Sequence, residues 1–128
     1  MALLLDTHTF LWFIGNDRRL SSVAAGKIAD PEARVIVSVV TAWEIVIKTG
    51  TGKMILHRPI TALWEDSIAQ NGFEVLNVTP EHVFALTALP PHHRDPFDRL
   101  LIAQAISEGH QIVGVDEMFD HYAVDRIW

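Results

Sequence analysis

Four carboxylates stand where the chain passes from one element to the next, and their spacing could support phosphodiester chemistry. Asp6 closes the apolar run Ala2 to Leu5. Glu44 follows the run Val35-Ile36-Val37-Ser38, within Thr41-Ala42-Trp43-Glu44. Asp98 belongs to Asp95-Pro96-Phe97-Asp98, and Asp116 closes Gln111-Ile112-Val113-Gly114-Val115. If the apolar runs are parallel strands, all four acids fall at the carboxyl edge of one sheet, where ligands bind in open α/β folds. Carboxylates gathered that closely cannot all stay ionised without cations. Hard oxygen donors of this kind suit Mg²⁺ or Mn²⁺. Such a site activates water and neutralises the charge of an in-line phosphodiester attack. The chain has no cysteine, which excludes a thiolate nucleophile and a thiolate zinc site.

Taken singly, each acid has a plainer reading. Asp6 could cap a helix in a βα turn. Glu44 fits a capping box with Thr41, Asp98 fits the positive end of a helix dipole, and Asp116 could cap the turn that follows it. Asp95 reads as an N-cap, with Pro96 at the first helical position. The metal reading rests on four separate elements each bringing an acid to one edge. His8, His92 and His93 lie beside these acids and read as exposed loop residues. Trp12, Trp43 and Trp64 recur among aliphatic residues at helical spacing and read as core or interface.

The elements that must position the acids alternate along the chain. Thr7 or Thr9 can cap a first helix, which Gly15-Asn16-Asp17 stops. Ser21 or Ser22 opens a second, ended by Asp30-Pro31. A helix carrying Glu44 follows the second strand and ends at Gly50-Thr51-Gly52. Pro59 starts another, closed by Asn71-Gly72. Phe73 to Val78 reads as a third strand and Thr79-Pro80-Glu81 as a further helix start. The helix from Pro96 to Glu108 carries Leu101, Ile102, Ala105 and Ile106 at helical spacing, so one face is expected to be buried. Tyr122 to Trp128 could add an edge strand. Strands alternating with helices predict an α/β domain: three layers, α/β/α, around a central, mostly parallel sheet, with residues 1–128 as one domain.

Composition bounds the function. The 128 residues are 49% hydrophobic, enough for a real core, and carry a formal charge of −6. An acidic chain is a poor non-specific ligand for nucleic acid, but bound divalent cations reverse the local sign. No apolar run approaches the ~20 residues of a membrane span, and the start of the chain has no basic segment of a signal peptide. The expected setting is therefore the cytoplasm, with no membrane partner. Glycine-rich nucleotide motifs are missing. A phosphatase nucleophile pair would need a second acid two residues after Asp6, where His8 stands.

The blocks LLLDTHTFLW, SVVTAWEIVIKTGTGKM, HHRDPFDRLLIAQA and VGVDEMFDHY resemble, in order and over essentially the whole chain, the PIN-domain ribonucleases, specifically the VapC-type toxins of type II toxin–antitoxin pairs. The resemblance implies a PIN-like α/β/α domain, a Mg²⁺- or Mn²⁺-dependent endoribonuclease, a cognate antitoxin (VapB-like or similar) and a homodimer. It places the family's acids on Asp6, Glu44, Asp98 and Asp116. Asp6 and Asp98 would be the main metal ligands; Glu44 would ligate or act through water, and Asp116 would complete an outer or second-metal shell. Lys48, Lys53 and Arg58 gather near the loop after the second strand unit, and Arg94 and Arg99 flank the acids. These cations could hold RNA phosphates. One departure is Gly114, where the family commonly has Thr or Ser two residues before the last acid. The missing hydroxyl opens a second reading, a catalytically weak or inactive PIN module that binds RNA or an antitoxin. On that reading, Gly114→Thr would restore cleavage.

Overall fold

A computed structural model describes residues 2–128. The strands are β1 (Leu3–Leu5), β2 (Val35–Ser38), β3 (Glu74–Leu76), β4 (Gln111–Val113) and β5 (Arg126–Ile127). All pair in parallel, in the order β3-β2-β1-β4-β5. The helices are α1 (Thr7–Ile14), α2 (Ser22–Ala29), α3 (Val39–Gly50), α4 (Ile60–Asn71), α5 (Pro80–Ala85) and α6 (Pro96–Glu108), with short 3₁₀ turns at Leu86–Ala88 and Glu117–His121. The expected mostly parallel sheet is thus wholly parallel among the described residues.

Three layers follow from the pleat, which sends successive side chains to opposite faces. Leu4, Ile36 and Ile112 pack with Phe97, Leu101 and Ile102 of α6. Leu3, Leu5, Val35, Val37 and Val113 face the other way, onto Phe10 of α1, Ala24 and Ile28 of α2, and Trp64 of α4. β1, β2 and β4 are apolar on both faces because both faces are covered. β3 is an edge strand, and Glu74 and Val75 on it are exposed. That explains the polar residues that interrupt its apolar run.

Helix α6 departs from the expected one-sided pattern. Phe97 and every residue from Leu100 to Ala105 are buried, while Ile106 is exposed. The helix lies between the sheet and its neighbours α3 and α5, so its middle is enclosed all round. Gln104 is polar and fully buried there. Its Oε1 accepts from the Ser38 hydroxyl at 2.5 Å, and its Nε2 lies 3.4 Å from the Asn77 carbonyl and from His82 Nδ1. Ser38 in turn accepts the Val40 amide at 3.0 Å and caps α3. One amide thereby ties the start of α3 to the end of β3. Gln104→Ala strands a buried hydroxyl and leaves a cavity. We expect a loss of about 2–4 kcal/mol, read as a lower urea midpoint at unchanged slope.

Candidate active site

The four acids come from four elements. Asp6 follows β1 directly and caps α1, its Oδ1 accepting the Thr9 amide at 2.8 Å. This cap falls to Asp6 rather than to Thr7 or Thr9. Asp98 is the third residue of α6, behind Asp95, which accepts the Phe97 and Asp98 amides. Asp116 lies beyond the end of β4 at Val113 and caps the following 3₁₀ turn, accepting the Met118 amide at 2.9 Å. Glu44 sits in the second turn of α3, not the first, because α3 begins right at the end of β2 with Ser38 as its cap. No capping box with Thr41 forms there. All four acids line one cavity of about 270 Å³, together with Thr7, His8, Lys48, Asp95, Val115 and Phe119.

Each carboxylate has a different partner. Glu44 is buried, its Oε1 accepts the Thr7 hydroxyl at 2.6 Å, and its Oε2 meets the Lys48 ammonium. Burial works against the charge on Lys48, but the bond to Glu44 and the fields of Glu44, Asp95 and Asp98 outweigh it and raise its pKa. Burial raises the pKa of Asp6, against the opposing pull of the Thr9 hydrogen bonds. Asp98 accepts no hydrogen bond among the described residues. Burial, then the charges of Asp95 and Glu44, push its pKa up to about 7. Asp116 goes the other way. Its partial burial is outweighed by hydrogen bonds from His93 and the Met118 amide, so its pKa is lowered.

His93 belongs to this site, although its sequence context reads as an exposed loop. Its side chain is only 8% exposed. It stacks on Phe119 at 5.3 Å between ring centres. Its Nε2 lies 2.7 Å from Asp116 Oδ2 and its Nδ1 3.0 Å from the Tyr122 hydroxyl. Tyr122 O–H donating to Nδ1 leaves Nε2–H to donate to Asp116, a chain that fixes where that carboxylate points. The pairing of a histidine before α6 with a tyrosine near the tail carries no local sequence signal.

The cations divide. Lys48 is bound to Glu44. Arg99 donates to the carbonyls of Leu89, Pro90 and His93, holding the loop before α6. Arg58 pairs with Asp66. Lys53 and Arg94 are exposed and lie outside the lining of the cavity.

The sequence matches the PIN domain family over residues 3–125. The chain belongs to the PIN-domain family. It is 28% identical, over 116 residues, to Ribonuclease VapC22 of Mycobacterium tuberculosis, covering 90% of this chain and 87% of that protein. Its fold is similar to a VapBC2 structure from Rickettsia felis bound to a DNA fragment from the promoter (TM-score 0.72, 13% identity, 99% of this chain and 98% of that one). It is also similar to FitAcB from Neisseria gonorrhoeae (TM-score 0.60, 14% identity, 98% and 96%). The family expected from the sequence blocks, and its α/β/α fold, are thus borne out.

The donor set of this PIN domain fits a divalent ion. Asp98 and Asp116 each bring a carboxylate oxygen within 4.8 Å of the other and of a His93 ring nitrogen, and hard oxygen donors of this kind suit such an ion. Gly114 is not a simple deletion of a hydroxyl. A Cβ there would lie 2.6 Å from Asp6 Oδ2 and 2.8 Å from Phe119 Cε2. The carboxylate of Asp6 and the Phe119 ring fill the space that a side chain at this position would need. Gly114→Thr is therefore expected to push Asp6 out of place and destabilise the chain by about 1–3 kcal/mol, opposite to a restored site. Thermal melts and Mn²⁺ titration read both effects.

A pH dependence follows from Asp98. Its folded pKa of about 7 lies above its ordinary value of 3.8. The native state therefore holds more protons between those values, and stability falls as pH rises through that window. In EDTA, the melting temperature should drop between pH 5 and pH 8. Asp98→Asn should remove much of the drop, a gain on the order of 3–4 kcal/mol at pH 8. Mn²⁺ should raise the melting temperature at pH 8 and hardly at pH 5.

Proposed function

We propose that this chain is the toxin of a type II toxin–antitoxin pair, a VapC-type endoribonuclease that uses Mg²⁺ or Mn²⁺. The observation that carries the reading is the meeting of Asp6, Glu44, Asp98 and Asp116 in one cavity of a PIN domain. The likeness to Ribonuclease VapC22 supports RNA as the substrate. Asp98, Asp116 and Asp6 would hold the ion, with His93 keeping Asp116 in place. When bound, such an ion lowers the pKa of a water and neutralises charge on the scissile phosphate. Burial and crowding keep Asp98 ready to give up its proton as a cation arrives. Exposed Arg94 and Lys53 are free to meet backbone phosphates to either side. The close packing of Asp6 on Gly114 weighs against a module disabled by a missing hydroxyl.

The solved VapBC2 and FitAcB structures support an antitoxin as partner. An acidic cavity attracts a basic segment, and an apolar row lies next to it on α3: Trp43 (48% exposed), Val46 and Ile47. No described helix is long and apolar enough to cross a membrane, which accords with a cytoplasmic protein. Pairing of two copies is part of the same proposal, and light scattering reads it.

Purified, antitoxin-free protein should cut at least one member of a panel of structured RNAs in Mn²⁺ or Mg²⁺, and none in EDTA. Asp98→Asn and Asp6→Asn should lower the rate by about 10²-fold or more while both variants stay folded. Cleavage that survives EDTA or Asp98→Asn would overturn the assignment.

A further inference from the structure

The acids of the cavity are not evenly furnished. Asp98 and Asp116 converge, beside a His93 ring nitrogen, within 4.8 Å. Glu44 is already satisfied. Thr7 donates to Oε1 at 2.6 Å, and Thr7 Oγ1 lies 3.3 Å from Thr41 Oγ1. Lys48, one turn further along α3, meets Oε2. The Glu44 side chain is 4% exposed and that of Lys48 25%. A glutamate four residues before a lysine is the favourable order on a helix, and burial lessens the screening of the pair.

We propose that Lys48 is a built-in cation that takes the place of a metal ion at Glu44, so that the site takes a single divalent ion, held at Asp98 and Asp116. This rests on the metal-dependent reading above and narrows it. A second dication beside Glu44 would have to displace the ammonium or lie against it, and like charges at that range repel strongly. Removing the ammonium leaves a buried carboxylate with no counter-charge, which is costly and is relieved by any cation that can enter. Lys48 is then a positioning residue for Glu44 rather than a ligand of RNA phosphate, the role expected from its place in the sequence.

The test is the number of Mn²⁺ ions bound per chain at pH 8, counted by equilibrium dialysis and electron paramagnetic resonance. Wild type should bind one. Lys48→Met should bind two at millimolar Mn²⁺, and Lys48→Arg, which keeps the charge, should bind one. Glu44→Gln in the wild-type background should still bind one. The Lys48→Met/Glu44→Gln double variant should return to one. Two ions in wild type, or one in Lys48→Met, would overturn this proposal and leave the nuclease assignment standing. No Mn²⁺ bound to wild type would overturn both.

Discussion

Carboxylates withdrawn from water need compensation, and the arrangement around the sheet edge is the set of answers this chain gives. Asp6 takes the free Thr9 amide in the first turn of α1. Glu44 takes a hydroxyl and an ammonium. Asp116 takes an imidazole that is itself clamped between Phe119 and Tyr122. Asp98 is the one of the four that accepts no hydrogen bond among the described residues, and burial with the charges of Asp95 and Glu44 raises its pKa to about 7. The pKa shifts diverge accordingly, lowered at Asp116 and raised at Asp6 and Asp98. A group that has no internal partner gains most from an external one.

The rest of the fold serves this edge through α6. Its first turn presents Asp98, its middle fills the space between the sheet and α5, and Gln104 anchors it to the Ser38 cap of α3. Glu44 and Asp98 are therefore braced against each other by a buried polar contact several residues behind the cavity. Rigid elements hold such groups more precisely than loops do. The loop before α6 is fastened in turn by Arg99, whose guanidinium reaches three of its carbonyls.

Much of this was legible in the sequence because it is local. Strand ends followed by acids, the Asp95-Pro96 helix start and the double-faced apolar runs are signals within a few residues, and they put Asp6 and Asp98 where they stand. Glu44 was displaced by a turn because Ser38 serves both as the last residue of β2 and as the cap of α3, an overlap that propensity does not show. The one-sided reading of α6 failed because enclosure by α5 and α3 is a property of the packing, not of the helix. His93 and Gly114 were misread for the same reason. The partners that give them meaning, Asp116 and Tyr122 for one and Asp6 for the other, are 23, 29 and 108 residues away.

The strand order has a consequence in time. β1 lies between β2 and β4, so Asp6 stands at the centre, with Glu44 following β2 on one side and Asp116 following β4 on the other, and Asp98 brought over the sheet by α6. The β1–β4 pairing joins Leu3 to Gln111 and Leu5 to Val113, among the most distant pairings the chain makes. Such contacts form late, because a long loop must close before they are rewarded. β1, β2 and β3 can pair before β4 is made, but Asp116 follows β4, so the four-acid cavity is complete only when β4 docks. The acidic edge is thus assembled by the longest-range pairing in the sheet, and it stays incomplete until residues more than a hundred positions apart have met.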